Sequence, residues 1–548
     1  MFSLFKNNIK HVKELGFILN IILFTLISVI EISSLALYKE WGTTFNARAF
    51  EFIFNFSELS HTVSYHASIG LVSILIFSLA TGYFFLYHIN SFYDKTNIKI
   101  ITKVFLILIL FGLCFTCLRG GLGKLPIGPG AAFYSKDICN NYMSVNKAYY
   151  FIYSLTKAYR PRFSENSYSK KELDELYNSI YSENNITEKI KPLKVAEPNI
   201  VLIIMEGIPA DVVEPLKGIA DVTPYLNKLC KEGILFSNIY SSGMRTDQGL
   251  LSILSGLPAL SSINIMSNIE LTNKLPSLIR TFKENKYHTS FFYGGGLDFC
   301  NINNYILNSK TDLTISKRSF ELNEQNISWG VPDDLLFKKA KKEIEQIPKP
   351  FFSSILTQSS HPPFDLQTRH KFKGDDTPSK FKSSVYFSDS CLGSFLEQCK
   401  KHEWYDSTLF IIVSDHGSLY LENRHYNHHR RFQIPLLLFG PALNKTYKGL
   451  KIENFGNHHD LPKTILSLIG IKDSVFLFSK DLLSDRELNH AYWTGEQTIG
   501  WIHKKQKIVV DHLSKEVYFQ EITGVNNNTN INNALKYQKL ISDYIYKN

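Results

Sequence analysis

Five short apolar runs, separated by stretches with helical spacing, constrain the fold of this chain most strongly. The first run, 199–205, contains no charged residue, and four others follow the same pattern: 289–293, 351–356, 408–413 and 434–439. Continuous apolar strands are typical of a parallel sheet that is covered on both faces. Helical stretches lie between them, at 223–231, 275–285 and 382–402. The alternation predicts an α/β domain with a mixed, largely parallel sheet sandwiched by helices.

The first 120 residues are far more apolar than the remainder of the chain. Three runs in this part are long enough to cross a bilayer, at about 15–38, 69–89 and 100–118. No small-residue cleavage site follows the first run, which argues against a removable signal peptide. We therefore expect residues 1–120 to form a membrane domain, an α-helical transmembrane bundle that precedes the α/β domain.

Lysines are distributed unevenly around these three spans. Those that set the orientation either precede the first span or lie between the second and the third: Lys6, Lys10, Lys13, Lys95, Lys99 and Lys103. The positive-inside rule then predicts a cytoplasmic N-terminus and places everything after Leu118 on the other side. The chain is expected to be a multi-pass protein of the cell (inner) membrane, with its larger part periplasmic or extracellular.

Composition excludes two classes of protein. The net charge of +10 is modest for 548 residues, and no basic block is interleaved with aromatic residues, so we expect no nucleic-acid partner. Seven cysteines without zinc-finger spacing do not form a disulfide scaffold. A joint rich in glycine and proline leads into a predicted helical connector at 121–195. The second domain occupies 196–548 and is expected to end in short strands and a helix, with an Asn-rich turn at 526–533.

Residues 241–256 combine a turn of small residues with apolar residues at helical spacing. Thr246 lies where that helix should begin, so its hydroxyl would be among unpaired backbone N–H groups at the positive end of the helix dipole. Such a helix end can hold phosphoryl oxygens while the hydroxyl attacks phosphorus. The same position also suits an ordinary N-cap threonine that only stabilises the helix.

Three features follow predicted strands, at the edge where open α/β sheets place their sites. Glu206 and Asp415-His416 come directly after two of the apolar runs, and Thr246 follows a candidate strand at 234–240. Two carboxylates and one imidazole suit a divalent cation such as Zn or Mn. A threonine oxygen that fills an open position on the ion would lose its proton more easily and become a nucleophile.

Further motifs occur in an order that resembles the alkaline phosphatase/sulfatase superfamily: Val222-Thr223-Pro224-Tyr225-Leu226, Trp329-Gly330, Ser360-His361-Pro362-Pro363-Phe364 and His459-Asp460-Leu461-Pro462. With membrane spans in front, the chain looks most like the lipoteichoic acid synthase-like branch and the lipid A phosphoethanolamine transferases. The resemblance covers about 198–471. It implies a phosphotransferase with one divalent ion, Mn or Zn with Mg as a third option, held by Glu206, Thr246, Asp415 and His416.

The resemblance also implies a reaction. Thr246 would take a phospho-headgroup, glycerol phosphate or phosphoethanolamine, from a phospholipid donor and pass it to an envelope glycan or lipid acceptor. His361 matches the substrate-site histidine of the family and would move a proton, although a structural histidine beside prolines is the alternative. Phe299 aligns with an aromatic residue that contacts the headgroup, and Arg245 and Tyr293 are expected in the same site.

The sequence departs from the family pattern in places. Tyr293 and about Ile302 stand where Gram-positive enzymes carry a His and an Arg that touch glycerol phosphate, so the headgroup stays open. Three spans are visible where the family usually has five. His429 is predicted to bind substrate. Two alternatives, a phosphate or second metal site and a solvated loop, apply to it and to four others: His425, His428, His458 and His459.

Two other functions compete with phosphotransfer. The first is a sulfatase-like phosphodiesterase that transfers the group to water, although a strict sulfatase needs a Cys/Ser-x-Pro-x-Arg segment that the residues after Thr246 do not provide. The second is a non-catalytic envelope sensor of the same fold. Retention of the complete Glu, Thr, Asp and His set favours an enzyme over the sensor.

Overall fold

The structure is a computed structural model. It describes residues 10–41, 44–46, 65–93, 100–120, 127–135, 138–157, 168–181, 190–261, 263–368, 370–421, 428–472, 474–484, 490–495, 498–503, 506–512, 514–521 and 527–547. The chain divides into two compact units, residues 1–160 and 161–548. The stretch predicted as a connector, 121–195, is shared between these two units.

The first unit is helical in its described part. Its helices are α1 (Lys10–Trp41), α2 (Tyr65–Tyr93), α3 (Ile100–Arg119), α4 (Ile138–Ser144) and α5 (Lys147–Lys157). α1 packs on α2 through small residues, since Ser28 Oγ lies 3.2 Å from Ser78 Oγ. A Cβ at Gly82 would overlap the Phe24 ring. Small residues at such contacts let helix backbones approach closely, as they do in membrane bundles.

One helical segment in the described residues is long and apolar enough to cross a membrane, Glu14–Leu35 in α1. The apolar segments of α2 and α3 are shorter, Val72–His88 and Val104–Cys117. Each predicted span therefore coincides with a helix, and one of the three meets the length criterion over its described residues. The multi-pass arrangement stays a prediction.

The second unit is built on an eight-stranded sheet. Its strands are β1 (Asn199–Met205), β2 (Ile234–Tyr240), β3 (His288–Tyr293), β4 (Leu313–Ile315), β5 (Phe351–Leu356), β6 (Thr408–Ser414), β7 (Gln433–Phe439) and β8 (Leu450–Asn457). Their order in the sheet is β4-β3-β5-β1-β6-β7-β2-β8. β7 is antiparallel to β6 and β2, and the remaining neighbours pair in parallel. The predicted mixed, largely parallel sheet is confirmed.

Helices cover both faces of this sheet. They are α6 (Lys170–Tyr181), α7 (Pro224–Cys230), α8 (Thr246–Ser255), α9 (Ile269–Lys274), α10 (Leu278–Glu284), α11 (Ile302–Asn308), α12 (Asp333–Ile344), α13 (Thr377–Cys399), α14 (Leu461–Leu468) and α15 (Asn527–Lys547). Side chains of β1 alternate between two cores: Ile200 and Leu202 pack with α8, α10 and α14, and Val201 and Ile203 pack with α7, α12 and α13. Two-sided burial explains why this strand is continuously apolar.

A second, antiparallel sheet follows, in the order β12-β11-β10-β9. Its strands are β9 (His490–Thr494), β10 (Thr498–His503), β11 (Gln506–Asp511) and β12 (Val517–Glu521). The Asn457 side chain at the end of β8 donates to the backbone oxygens of Tyr240 and Tyr492, which ties the two sheets together. The Asn-rich turn predicted at 526–533 is wrong, because α15 begins at Asn527. Buried Asn530 and Ala534 show that packing outweighs the low helix propensity of asparagine there.

Candidate active site

Several strands of the main sheet end at one edge, and each supplies a predicted site residue or the loop that carries one. Glu206 follows β1, and Asp415 and His416 lie at the end of β6. A turn from the end of β2 leads to α8, which begins at Thr246 as the apolar spacing predicts. Because β1, β2 and β6 run in the same direction, their carboxyl ends meet at this edge.

The four residues predicted as ligands lie together. The ligating atoms of Glu206, Asp415 and His416 are all within 4.8 Å of one another. His416 Nε2 is 3.4 Å from Glu206 Oε1 and 3.6 Å from Asp415 Oδ2. The Thr246 hydroxyl donates to Glu206 Oε2 at 3.0 Å. The structure therefore brings these four residues together, and their role as metal ligands stays a prediction.

Backbone contacts fix the orientation of Asp415 and His416. Asp415 Oδ1 accepts hydrogen bonds from the N–H groups of Gly207, at 2.8 Å, and His416, at 2.7 Å. Its second oxygen, Oδ2, is buried and has no hydrogen-bond partner in the part of the chain that the structure describes. His416 Nδ1 lies 2.9 Å from the Gly417 carbonyl oxygen, which can only accept. The Nδ1 proton is thereby fixed, and Nε2 is the ring atom that faces the carboxylates.

Charge in this group is strongly coupled. Burial opposes charge on the imidazole, but Asp415 and Glu206 together raise the pKa of His416. Burial and the neighbouring Glu206 charge raise the pKa of Asp415. For Glu206, burial acts in the opposite direction to the positive charge of His416, which lowers the pKa of Glu206. Two carboxylates so close together need a cation between them, either an imidazolium or a metal ion.

The residues present fit a divalent cation. Two carboxylates and one imidazole form an oxygen and nitrogen donor set, which suits Zn or Mn. The unpartnered Asp415 Oδ2 is a buried oxygen that a cation would satisfy. Glu206, Asp415 and His416 are therefore the residues that would hold the ion, and the Thr246 oxygen lies next to them.

Gly249 sets how closely α8 approaches these ligands. A Cβ at this position would overlap the backbone oxygen of Asp415. Glycine in a helix costs about 0.5–1 kcal/mol relative to alanine, so its presence in the first turn of α8 needs a reason. Here the reason is packing, because only glycine lets the helix that carries Thr246 touch the loop that carries Asp415.

Two buried histidines hold the turn that precedes Thr246. His458 Nε2 accepts from the Ser242 N–H at 2.8 Å, and His459 Nδ1 lies 2.6 Å from Ser242 Oγ. The Ser242 carbonyl oxygen accepts from the N–H of Thr494 in β9. Both imidazoles are fully buried. The solvated-loop alternative for these two histidines is wrong, since they lie in the interior after β8, where they hold the turn before Thr246.

His361 lies in the loop after β5 and contacts a half-buried aromatic residue. Its ring is 4.2 Å from the ring of Trp329, and its Nδ1 is 2.7 Å from the Pro362 carbonyl oxygen. Trp329 in turn makes an edge contact with Phe299, with ring centroids 5.6 Å apart. The two predicted substrate residues His361 and Phe299 are thus brought together through Trp329, which the sequence did not assign to the site.

Tyr293 and Arg245 also lie near the ligand group. Burial and the charges of Glu206 and Asp415 raise the pKa of Tyr293, so this phenol stays neutral near the carboxylates. Its side chain occupies the space that a Cβ at Gly295 would fill. Arg245 precedes α8, and its half-exposed guanidinium has Nε 3.6 Å from Asp247 Oδ1. Arg245 therefore lies beside Thr246, and its contact with an anionic substrate stays a prediction.

His428 and His429 contact the second sheet. His429 stacks on His428, with ring centroids 4.5 Å apart, and makes a tilted contact with Phe519 of β12, at 5.4 Å. Lys507 Nζ is 3.4 Å from His429 Nε2. These contacts belong to the second sheet, so a substrate role for His429 stays a prediction. His425 lies outside the described residues.

Tyr420 is a further aromatic residue near the ligands that the sequence did not indicate. It packs on Phe364 and Phe381, at ring distances of 5.3 and 5.2 Å. Burial and the charge of Glu206 raise its pKa, which places the phenol within electrostatic reach of the site. Its position five residues after Asp415, in a loop that follows a strand, is the signal that could have identified it.

Sequence comparison identifies the fold family. Residues 198–471, half of the chain, match the sulfatase family. The chain belongs to this family. Lipoteichoic acid synthase 2 of Bacillus subtilis (strain 168) is 24% identical over 341 residues, which cover 57% of this chain and 51% of that protein. The chain thus spans about half the length of the curated relatives it matches. The resemblance to a lipoteichoic acid synthase-like protein of the alkaline phosphatase/sulfatase superfamily is confirmed.

Solved structures agree on the fold. A protein of the alkaline phosphatase superfamily from Vibrio parahaemolyticus aligns with a TM-score of 0.60 and 24% identity, covering 69% of this chain and 97% of that one. The lipoteichoic acid synthase LtaP from Listeria monocytogenes aligns with a TM-score of 0.56 and 17% identity, covering 68% and 98%. Both alignments show that this sulfatase-family chain shares the fold of these structures.

Proposed function

We propose that this protein is a membrane-anchored, metal-dependent phosphotransferase. It moves a phospho-headgroup, glycerol phosphate or phosphoethanolamine, from a phospholipid to an envelope glycan or lipid acceptor, through a phospho-threonine at Thr246. The observation that supports this most directly is the hydrogen bond of 3.0 Å from the Thr246 hydroxyl to Glu206, within the group that Asp415 and His416 complete. An ordinary N-cap would instead direct its oxygen to backbone N–H groups of its own helix.

The first half-reaction uses Thr246 as the nucleophile. When bound, the divalent cation supplies positive charge that acidifies the hydroxyl and stabilises phosphoryl oxygens. Thr246 Oγ forms a bond to phosphorus as its proton passes to Glu206 Oε2. The bond from phosphorus to the diacylglycerol oxygen breaks, and that oxygen takes a proton from His361 Nε2. Diacylglycerol leaves, and the headgroup stays on Thr246.

The second half-reaction reverses these roles. His361, now neutral, accepts the proton of an acceptor hydroxyl, whose oxygen forms a bond to phosphorus. The Thr246 oxygen leaves and regains its proton from Glu206. Support for placing His361 here comes from electrostatics: burial raises the pKa of Glu206, whereas the charges of His416 and His361 lower it. His361 therefore lies within electrostatic reach of the carboxylate beside the nucleophile.

The proposed location follows from the apolar segments. Glu14–Leu35 anchors the chain, and α2 and α3 are the further spans of a multi-pass membrane unit with a cytoplasmic N-terminus. The catalytic unit then lies on the periplasmic or extracellular side, where lipid headgroups and envelope glycans are within reach. Both proposed substrates would be met at the membrane surface.

A lipid assay with a matched pair of variants tests this function. Purified full-length protein with Mn²⁺ receives fluorescent phosphatidylglycerol or phosphatidylethanolamine in detergent micelles, with a glycolipid acceptor. We expect diacylglycerol release by the wild type and by Thr246→Ser, which keeps a hydroxyl. Thr246→Ala should lower the rate by about 10⁴-fold or more while the protein stays folded. Mass spectrometry of wild-type protein stopped during turnover should find the headgroup phosphate on Thr246.

The products decide between transfer and hydrolysis. Headgroup attached to the acceptor supports the proposal, whereas free headgroup phosphate with every acceptor supplied would identify a hydrolase that uses water. Full activity of Thr246→Ala would exclude the covalent step. An inactive wild type that binds no divalent ion would support the non-catalytic sensor instead.

A further inference from the structure

Residues 328–333 form a segment that contacts the His361 loop at three points. Asp333 Oδ1 accepts from the N–H groups of Gln358, at 2.9 Å, and Ser359, at 3.2 Å. At the other end, Ser328 donates its N–H and its hydroxyl to Asp365 Oδ2. Between these contacts, the Trp329 indole N–H donates to the Pro362 carbonyl oxygen at 2.8 Å. The loop that carries His361 is therefore held along its whole length.

Trp329 is the member of this segment that contacts the imidazole itself. Its ring lies 4.2 Å from that of His361, with 56° between the planes. The Pro362 oxygen that accepts from Trp329 Nε1 also lies 2.7 Å from His361 Nδ1. Because a carbonyl oxygen only accepts, Nδ1 must carry a proton, and Nε2 is the atom at which the ring gains or loses one.

The indole also contacts the other side of the substrate region. Its ring is 5.6 Å from that of Phe299, at 79° between the planes. All three rings are half-buried, so they form a row that a substrate can reach from solvent. A displacement of the indole would therefore move the imidazole and one wall of this region together.

We propose that Trp329 is a positioning residue for His361. It holds the imidazole by ring contact and shares the Pro362 oxygen with Nδ1, so that Nε2 faces the reacting oxygens in a single tautomer. The catalytic consequence rests on the proposed function, whereas the effect on the imidazole does not. Positioning of this kind matters because small displacements of an acid–base group reduce the rate strongly.

The experiment uses Trp329→Phe, which keeps a ring and removes the N–H donor. The matched control is Trp404→Phe, since Trp404 is a buried tryptophan that packs on Phe351 at the other edge of the sheet. In full-length protein with ¹⁵N-labelled histidine, His361→Asn assigns the His361 signals. We expect a protonated Nδ1 and an unprotonated Nε2 in the neutral wild type and in Trp404→Phe. In Trp329→Phe we expect a mixture of tautomers.

Kinetics in the lipid assay supply the second readout. Trp329→Phe should lower kcat about tenfold with little change in KM, the size expected when one hydrogen bond that orients a catalytic group is lost. Added to His361→Asn, it should cost little more, because its effect passes through the imidazole. Trp404→Phe should leave kcat unchanged.

Two results would overturn this inference: an unchanged tautomer in Trp329→Phe, or a kcat loss that adds fully to that of His361→Asn. If the wild type releases no diacylglycerol but the tautomer shifts in Trp329→Phe, the proposed function fails and the structural role of Trp329 is retained. If the wild type is active and Trp329→Phe changes neither the tautomer nor kcat, the role of Trp329 is excluded and the proposed function stands.

Discussion

Two adjacent Asp and His pairs lie at the same edge of the main sheet, and they differ in the source of positive charge. His459-Asp460 follows β8. Asp460 accepts from the N–H groups of Lys480, at 2.9 Å, and Asn457, at 2.8 Å, and faces Lys480 Nζ at 3.7 Å. At the end of β6, Asp415 accepts hydrogen bonds from two N–H groups on one oxygen, and its other oxygen has no partner among the described residues.

The difference shows how similar residues serve distinct purposes. The Asp460 carboxylate has a built-in cation in Lys480, whose ammonium also donates to the His490 carbonyl oxygen at 3.0 Å. Asp415 shares its pocket with a second carboxylate, Glu206, and no ammonium is paired with either among the described residues. The internal cation makes Asp460 a structural carboxylate, whereas Asp415 and Glu206 together form a group that a cation would stabilise.

The largest expected effect separates the two aspartates by activity. Asp415→Asn keeps the oxygen that accepts the Gly207 and His416 N–H groups but removes the charge that binds a cation. We expect diacylglycerol release to fall by about 10⁴-fold or more. The melting temperature of the metal-free variant should stay the same or rise, because repulsion with Glu206 is removed. Activity within tenfold of the wild type would contradict the ligand assignment.

The built-in cation is tested next, by stability. Lys480→Met leaves Asp460 buried without its ammonium, which should cost about 3–5 kcal/mol in the free energy of unfolding. The double variant Lys480→Met/Asp460→Asn should recover part of this loss, because no unpaired charge remains. Denaturant unfolding of the three proteins measures the coupling. Strictly additive losses would show that the lysine and the aspartate act independently.

Addition of a divalent ion should stabilise the protein only through the pair without an internal cation, Asp415 and His416, which we call the open pair. Mn²⁺ or Zn²⁺ at 100 times its dissociation constant should stabilise chelator-treated wild-type protein by about 2.7 kcal/mol. Thermal melts with and without the ion measure this shift. Asp460→Asn should show the same increment from a lower starting point, whereas Asp415→Asn should show none. An equal shift in all three proteins would place the ion elsewhere.

The smallest expected effect is a pH dependence of stability that comes from the pair with an internal cation, His459 and Asp460, which we call the closed pair. Burial and the charge of Lys480 lower the pKa of His459, so the fold keeps this ring neutral. Below pH about 6.5 the unfolded chain binds a proton that the folded chain does not, and stability falls as pH falls, by up to about 1.4 kcal/mol per pH unit. His459→Gln should reduce this slope between pH 6.5 and 5. It should not abolish the slope, since burial also lowers the pKa of His490. An unchanged slope in the variant would contradict a neutral, buried His459.

Much of the candidate site around the open pair could be predicted from the sequence, because the patterns that indicate its residues are local. Glu206 and Asp415 each come next to a strand that is buried on both faces, and such strands are recognisable as continuous apolar runs. Thr246 begins a helix whose apolar spacing is regular. The place of each residue in the fold therefore follows from its immediate neighbours in the chain, and the sheet brings the strand ends together.

The structural role of the closed pair could not be predicted from the sequence, because the residues around it come from distant parts of the chain. From the sequence, His458 and His459 suit a solvated loop equally well, and only the fold shows that they are buried against Ser242. Trp329 precedes His361 by more than thirty residues, and Pro362 connects them through a carbonyl oxygen, which no side-chain pattern reveals. The Asn-rich start of α15 was missed for a related reason, since its helix depends on packing rather than propensity.

The hydrogen bond from Thr494 to Ser242 shows that the structure supporting Thr246 extends beyond the family region. The family match stops at residue 471, yet the turn before Thr246 is hydrogen-bonded to β9, a strand that starts nineteen residues later. A chain shortened to the family region would retain every predicted ligand but lose the hydrogen bond from Thr494 that supports the turn before Thr246. The small C-terminal sheet therefore supports the turn before Thr246, and substitutions there should displace this threonine without altering any of the predicted ligands.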